Sequence, residues 1–510
     1  MKHNAIFTTA APTAASVVAL FALTPMAFAD VTADQVWQNW KDLAAGAGQS
    51  YTPGAEQRSG TTLTITNLEI ASPSAEGSVV GTIPLIAFTE NGDGSVSIVT
   101  SEEYSLRMEA KNVSGGLTTN TILIGQQGAV LTAKGTPEAI NYDYTAAALT
   151  VHLRDFVIDG APQEMDFNVV VNNPVANYAV IPGDLLNITT TMAAQSVVIQ
   201  AKGTAQDEAG RYEATGQMNG LAGASTGALS QVAVANGFSE MLAKGFATET
   251  ALSFDNGSLS VTNTAVDGAQ SLFETAMTGG NIHVSMDRAR VAYGVGAKGV
   301  TLRGTDAGLP MGLPEVSAAY DEASIEFLAP IAKATEPQDF TVNTRLRGLT
   351  VSEGVWALID PAATLPRDPA TLVIETSGKL LPLVDLTGTD AMTGATPPAQ
   401  IHALDINAVQ LTVGGAEFKG SGALTFDNTQ PPMLGGVAPM PQGKLSLTLD
   451  GANGLLGKLV ALGLVDQNIT MTFGMMASML ARPGATPDSL TSEIEFTPAG
   501  ITANGMPLPF

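Results

Sequence analysis

Apolar and polar positions alternate in short runs from residue 60 to about 350: Leu63 and Ile65, Val96 and Ile98, Val169 and Val171, Ile282, Val284 and Met286, and Leu346 between Arg345 and Arg347. A period of two marks strands with one apolar and one polar face, and the Gly, Asn and Asp clusters between the runs are turn residues. The pattern therefore predicts antiparallel hairpins. The clearest joins Leu252-Ser253-Phe254 to Leu259-Ser260-Val261 through Asp255-Asn256-Gly257, residues that tolerate the positive φ of a tight loop.

Helical spacing occurs in a few short segments. Thr32-Ala33-Asp34-Gln35 has the spacing of a capping box, followed by a stripe of Val36, Trp37, Trp40, Leu43 and Ala44. The polar side of this helix lacks the basic residues of membrane-surface helices, so it is expected to dock on the core. Ser352 is placed to cap a helix presenting Val355, Trp356 and Ile359, which Pro361 ends by disfavouring helix at Asp360. A strand at 371–375, apolar helices at 455–465 and 471–480, and a hairpin at 493–504 complete the pattern.

One stretch returns. Ala251-Leu252-Ser253-Phe254-Asp255-Asn256 reappears as Ala423-Leu424-Thr425-Phe426-Asp427-Asn428, and Asp267-Gly268-Ala269-Gln270 parallels Asp450-Gly451-Ala452-Asn453. Read as strand, strand, helix, with Leu272 and Phe273 in the first helix and a Pro-rich insertion at 430–441 in the second copy, the echo points to an internal duplication. The expected fold is mainly β: a large antiparallel twisted sheet of repeated hairpins with a few short helices packed on it. A β-rich part over 30–340 and a β-rich part with apolar helices over 341–510 are expected, as two bodies or one continuous body.

Composition narrows the setting. With 45% hydrophobic and 14% charged residues, the chain is suited to folding rather than disorder. Its 48 acidic and 23 basic residues give a net charge of −25, which repels nucleic acid and anionic headgroups. Cysteine is absent, so disulfides, thiol catalysis, thiolate metal sites and a lipidated cysteine are excluded. Residues 1–29 read as a signal peptide: Lys2, an apolar run around Val17, Val18, Leu20, Phe21 and Leu23, then Ala27-Phe28-Ala29. The run is shorter than the ~20 residues of a membrane span. Cleavage after Ala29, general secretory export to the periplasm and no integral membrane segment in the remainder are the expectations.

Several motifs imitate active sites. Gly223-Ala224-Ser225-Thr226-Gly227 has the letters of a nucleophile elbow, with a helix expected over 229–242 and His283 and His402 as conceivable bases. That chemistry needs a strand feeding a sharp turn, and Gln217-Met218-Asn219-Gly220 does not read as such a strand. Gly294-Val295-Gly296-Ala297-Lys298-Gly299 has the letters of a dinucleotide fingerprint, but the helix that must hold the phosphates is replaced by strand-like Val300-Thr301-Leu302. A strand bend or bulge explains the glycines better. His152-x-x-Asp155 and His402-x-x-Asp405 lie in alternating segments, where residues three apart point to opposite faces, so the histidines are read as solvent-facing and no metal site is expected. Asn91-Gly92-Asp93-Gly94 is a hairpin turn rather than a calcium loop. The terminal Phe510 matches outer-membrane barrels, but Pro507 and Pro509 would interrupt the last strand's ladder.

One feature remains chemically suggestive: Met471, Phe473, Met475, Met476, Met479 and Leu480 on one helix. Methionine adapts to irregular apolar partners, so this helix could line a groove for lipid or hydrophobic peptide, against the plainer reading of core packing. Catalytic residues cannot be picked out, and no cofactor is implied. The function expected is a non-enzymatic periplasmic protein that binds a lipid or other apolar envelope partner or is a structural component; the alternative is a hydrolase of envelope polymers or lipids.

The opening Val31-Thr32-Ala33-Asp34-Gln35-Val36-Trp37, the stretch from Val355-Trp356 through Asp360-Pro361 to Leu365-Pro366-Arg367-Asp368-Pro369, and the closing Ala503-Asn504-Gly505-Met506-Pro507-Leu508-Pro509 resemble the bacterial exported family called domain of unknown function 2125. The closing Asn-Gly-x-Pro is also similar to the YdgA-like envelope proteins. The resemblance implies a repetitive β fold in the Gram-negative periplasm and no known activity.

Overall fold

The computed structural model of the protein describes residues 30–46, 48–74, 77–111, 115–181, 183–204, 210–230, 238–306, 313, 315–388, 397–430 and 439–508. The signal-peptide reading (1–29), most of the Pro-rich insertion (431–438), and Pro509 and Phe510 lie outside the described residues. The described chain is mainly β and antiparallel, with short helices. It divides into two compact units, Met1–Gly257 with Asn263–Gly268, and Ser258–Thr262 with Ala269–Phe510.

In the first unit the sheet closes on itself. Strand Gly77–Glu90 changes partner midway: its first half pairs with Glu103–Lys111 and its second half with Val96–Thr100. One arm continues through Val130–Thr136, Ala139–Thr145 and Val175–Ile181. The other continues through Leu117–Gln127, Ala148–Ile158 and Met165–Asn172. Both arms end on the long strand Leu185–Thr204, the first on residues 187–193 and the second on 196–203. The hydrogen-bonded circuit is complete.

Helix α1 (Ala33–Gly46) packs against the first arm. Its capping box forms in both directions: the Gln35 amide donates to Thr32 Oγ1 at 3.3 Å, and the Thr32 amide to Gln35 Oε1 at 2.9 Å. The stripe then buries Val36, Trp37 and Trp40 with Phe88, Ile65, Ile140 and Tyr142 in one cluster. Trp37 keeps its indole N–H satisfied by Glu56 at 3.0 Å, and the buried Tyr142 hydroxyl donates to Asn39 at 2.7 Å. Burial pushes the Tyr142 phenol well above its usual range. Thr32→Ala removes a cap from this helix and is expected to lower stability by about 1 kcal/mol in urea unfolding; an unchanged midpoint would show that packing alone sets the helix start.

The second unit is an open meander. Starting at Gly279–Met286, each strand pairs with the next: Arg290–Thr305, Val316–Pro330, Gln338–Val351, Ala370–Pro382, Ala399–Val413, Ala416–Phe426, Pro441–Asp450 and Ser489–Thr497. Helix α2 (Phe238–Ala243) belongs to the first unit; α3 (Glu353–Ile359), α4 (Ala452–Ala461) and α5 (Gln467–Leu480) belong to this one. Ser352 does precede α3, but its hydroxyl accepts from the Ser317 amide rather than capping the helix.

The two copies of the sequence echo differ in structure. After Asp450-Gly451 the chain forms α4, whereas after Asp267-Gly268 it forms the strand Gln270–Met277, with Leu272 opposite Thr305 and Phe273 opposite Gly304. The helix expected there is corrected to a strand. A short apolar run fits either period, and the neighbouring strand settles the choice by offering a free edge.

Candidate functional site

Side chains that face each other across an antiparallel pair lie on the same side of the sheet. In the second unit this rule assembles a long apolar row: Ile282, Val295, Ile325, Thr344, Ile374 and Val409 are successive cross-strand partners. A parallel row runs Val284, Tyr293, Phe327 and Val342. These side chains do not form a core. Ile325 is 50% exposed, and Ile282, Tyr293, Phe327, Val342 and Ile374 are exposed as well. A contiguous open apolar face of this kind is unusual on a folded protein.

The reverse side of the same strands is polar. Arg345 bridges Glu375 at 2.7 Å and Glu326 at 3.2 Å, and Asn343 donates to Glu326 at 3.0 Å. The Asn343 hydrogen bond, reinforced by the Arg345 charge, holds the Glu326 carboxyl below its usual range. Gly294 and Gly296 leave a depression of 490 Å³ on this side, bordered by Asn281, His283, Ser324 and Glu326. Exposed ion pairs such as these contribute only about 0–1 kcal/mol each. They define the water-facing side more than they stabilise it.

Helices α4 and α5 stand at the far end of the apolar face. Leu447 and Ser492 continue the row that includes Gly420, and the buried Ser492 hydroxyl donates to the Leu480 carbonyl at 2.5 Å. Asn504 donates to the same carbonyl at 3.0 Å. The last turn of α5 is thereby pinned over the sheet. Core packing, the plainer expectation for the methionine-rich helix, is corrected: no residue of α5 is buried. Phe473 and Leu480 are half-buried, and Met471, Met475, Met476 and Met479 are exposed, Met475 to 67%.

The catalytic look-alikes dissolve into sheet. Ser225 lies in the middle of strand Arg211–Ser230, opposite Thr190 and Thr250, with its hydroxyl 2.8 Å from that of Thr250. Gln217 to Gly220 belong to the same strand and none of them is buried, while the helix expected over 229–242 is corrected at Leu229 and Ser230, which end this strand, and is described as helix at Phe238–Ala243. A residue inside a ladder cannot form a strand-to-helix elbow. Gly294 to Gly299 are strand, as expected, with a bend at Gly299, whose φ is +54°. His152 is partly exposed and 3.1 Å from Asp166, not from Asp155, which a bulge turns into the left-handed region.

His402 is not solvent-facing at its tip. It sits where the register shifts opposite Lys379 and Leu380, and its Nε2 is buried without a hydrogen-bond partner. Among the described residues no group of three His, Asp or Glu side chains is placed to hold a metal ion.

Sequence reasoning missed one ionic centre. At the end of α3 the chain turns at Pro361, and Asp360 becomes wholly buried. Its carboxylate accepts from the Leu365 amide at 2.7 Å, the Thr364 amide at 2.9 Å and Arg367 Nη1 at 2.7 Å, while the Arg367 guanidinium lies 4.4 Å from the centre of the Trp356 ring. Burial opposes ionisation, but the two amides and the guanidinium outweigh it and lower the carboxyl to about 2. An acid at a helix C-terminus runs against the helix dipole, and that anomaly was the available signal. This centre fastens the 353–369 segment; it has no geometry for catalysis.

A mainly-β chain with one open amphipathic sheet thus stands apart from the enzyme classes its motifs imitate. It belongs to the family described as "Uncharacterized protein conserved in bacteria (DUF2125)", which matches over residues 246–508, just over half of the chain. The match contains the 355–369 stretch and the closing segment through Leu508, and it does not reach the opening helix. No curated protein matches the chain.

Proposed function

We propose that this protein is a non-enzymatic, exported envelope protein that holds an apolar ligand, a lipid acyl chain, along the open face of its second unit. The observation that carries the reading is the row Ile282, Val295, Ile325, Ile374, Val409, in which the three isoleucines are exposed and the two valines half-buried, with an ion-paired polar face behind it. Covering apolar area contributes about 25 cal/mol per Å², so an extended hydrocarbon chain has a large surface to gain. The Ala27-Phe28-Ala29 site supports export. The hydrolase alternative lacks comparable support, since Ser225 sits in mid-strand with its hydroxyl held to that of Thr250 on the neighbouring strand.

Titration with a fluorescent long-chain fatty acid tests the reading. Saturable binding is expected, weakened about tenfold or more by Ile325→Asp, because an acyl chain would then have to desolvate a carboxylate. Ile325 is half exposed, so the melting temperature should stay close to that of the wild type. Wild-type affinity in both Ile325→Asp and Phe327→Asp would refute the assignment.

A further inference from the structure

We propose that α4, α5 and the loop between them form a docking element that lies flat in the surface of a zwitterionic lipid bilayer. From residue 459 to 481 the only charged side chain is Asp466, in a chain of which 14% is charged. Within this stretch Leu464, Ile469, Met471, Met475, Met476 and Met479 are exposed. Met475 and Met479 are one turn apart, so their side chains meet on the same side of α5 with Met476 beside them. Water is a poor solvent for such a surface. Like α1, α5 lacks the basic face of membrane-surface helices, but its methionines are exposed where the stripe of α1 is buried in the core, and attachment at the boundary between headgroups and acyl chains scales with the apolar area inserted.

Two hydroxyls distinguish a lipid surface from a protein partner. Thr472 donates to the Asn468 carbonyl at 2.9 Å, and Ser478 to the Met475 carbonyl at 2.8 Å. Both are satisfied within the helix itself, which suits a medium that offers no hydrogen bonds. A protein surface would more naturally use them as partners. No helix among the described residues is long and apolar enough to cross a membrane, and the 14 residues of α5 extend about 21 Å. The element therefore rests in the surface.

Charge selects the lipid. The chain carries −25 overall, and only Lys458 and Arg482 flank the uncharged stretch. Anionic headgroups would repel it, so attachment depends on apolar insertion and not on ion pairing. Because Leu480 is pinned over the end of the apolar row, docking would bring the open face beside a source of acyl chains. The geometry stands by itself, while this purpose rests on the acyl-chain reading above.

Flotation of the purified protein with vesicles of phosphatidylcholine and phosphatidylethanolamine tests the proposal, with phosphatidylglycerol-containing vesicles as the second arm. Co-flotation with the zwitterionic vesicles is expected, unchanged by added salt, reduced at least about tenfold by Met475→Asp combined with Met479→Asp, and retained with leucine at both positions. The proposal is overturned by failure to float, by attachment only to anionic vesicles that salt reverses, or by a dimer that the aspartate pair dissociates, which would make a second copy the cover. Circular dichroism of each variant separates loss of docking from loss of folding. Vesicle attachment without fatty-acid uptake would remove the acyl-chain reading alone, and uptake without attachment would remove the docking element alone.

Discussion

Replacing Asp360 by alanine is expected to lower the melting temperature of the second unit by roughly 10 °C, the scale of breaking a buried ion pair. The variant leaves the amides of Thr364 and Leu365 and the Arg367 guanidinium without their acceptor. Asp360→Asn retains one carbonyl oxygen and should fall between alanine and wild type. The pH dependence has a definite sign. The folded carboxyl, at about 2, lies below its ordinary 3.8, so its contribution is present in full above about pH 5 and is lost as the pH falls through 4 towards 2. The gap in melting temperature between wild type and Asp360→Ala should therefore be narrower at pH 3 than at pH 7 without closing. A variant that melts with the wild type at pH 7 would show that the 353–369 segment is held by Trp356 and Arg367 without the carboxylate.

Phe88→Ala should cost the first unit about 3–5 kcal/mol. Phe88 is 0% exposed, meets the Trp40 ring edge-on at 5.2 Å and lies 5.9 Å from the ring of Trp37. The cavity would open under α1, where the closed circuit of strands limits how far the walls can move inwards. Urea unfolding followed by tryptophan emission in a Trp356→Phe background reads this directly, because Trp37 and Trp40 then supply all the signal. A loss below about 1 kcal/mol would mean that α1 shifts to refill the space.

What the sequence made legible was local. The capping box at Thr32 and Gln35 and the turn at Asn91 to Gly94 depend on neighbours in the chain, and both formed as expected. Segment 270–277 was misread because Leu272 and Phe273 fit a helix as well as a strand until Thr301 to Thr305 are placed beside them. Closure of the first unit rests on Gly77–Glu90 exchanging partners in mid-strand, a non-local event that period two cannot encode.

The candidate site shows the same division. Alternation in Ile282, Val284 and Met286 announces an apolar face but is silent on whether anything covers it. Likewise, the methionines of 471–479 have one spacing whether buried or exposed. Asp360 was named only as the place where a helix stops; its pairing with Arg367 across the turn needed the fold.

The open meander also sets a scale. Strands in a sheet are spaced about 4.8 Å apart, and Ile282, Val295, Ile325, Thr344, Ile374 and Val409 mark five such steps, or about 24 Å. That falls between one leaflet of a bilayer's hydrocarbon, about 15 Å, and its full thickness of about 30 Å. Since each strand from Val316–Pro330 to Ala399–Val413 bonds only to the one before and the one after, inserting or deleting a hairpin there changes this length by two steps while leaving the remaining pairings intact. Relatives with longer or shorter meanders would then be gauges cut to different hydrocarbon lengths.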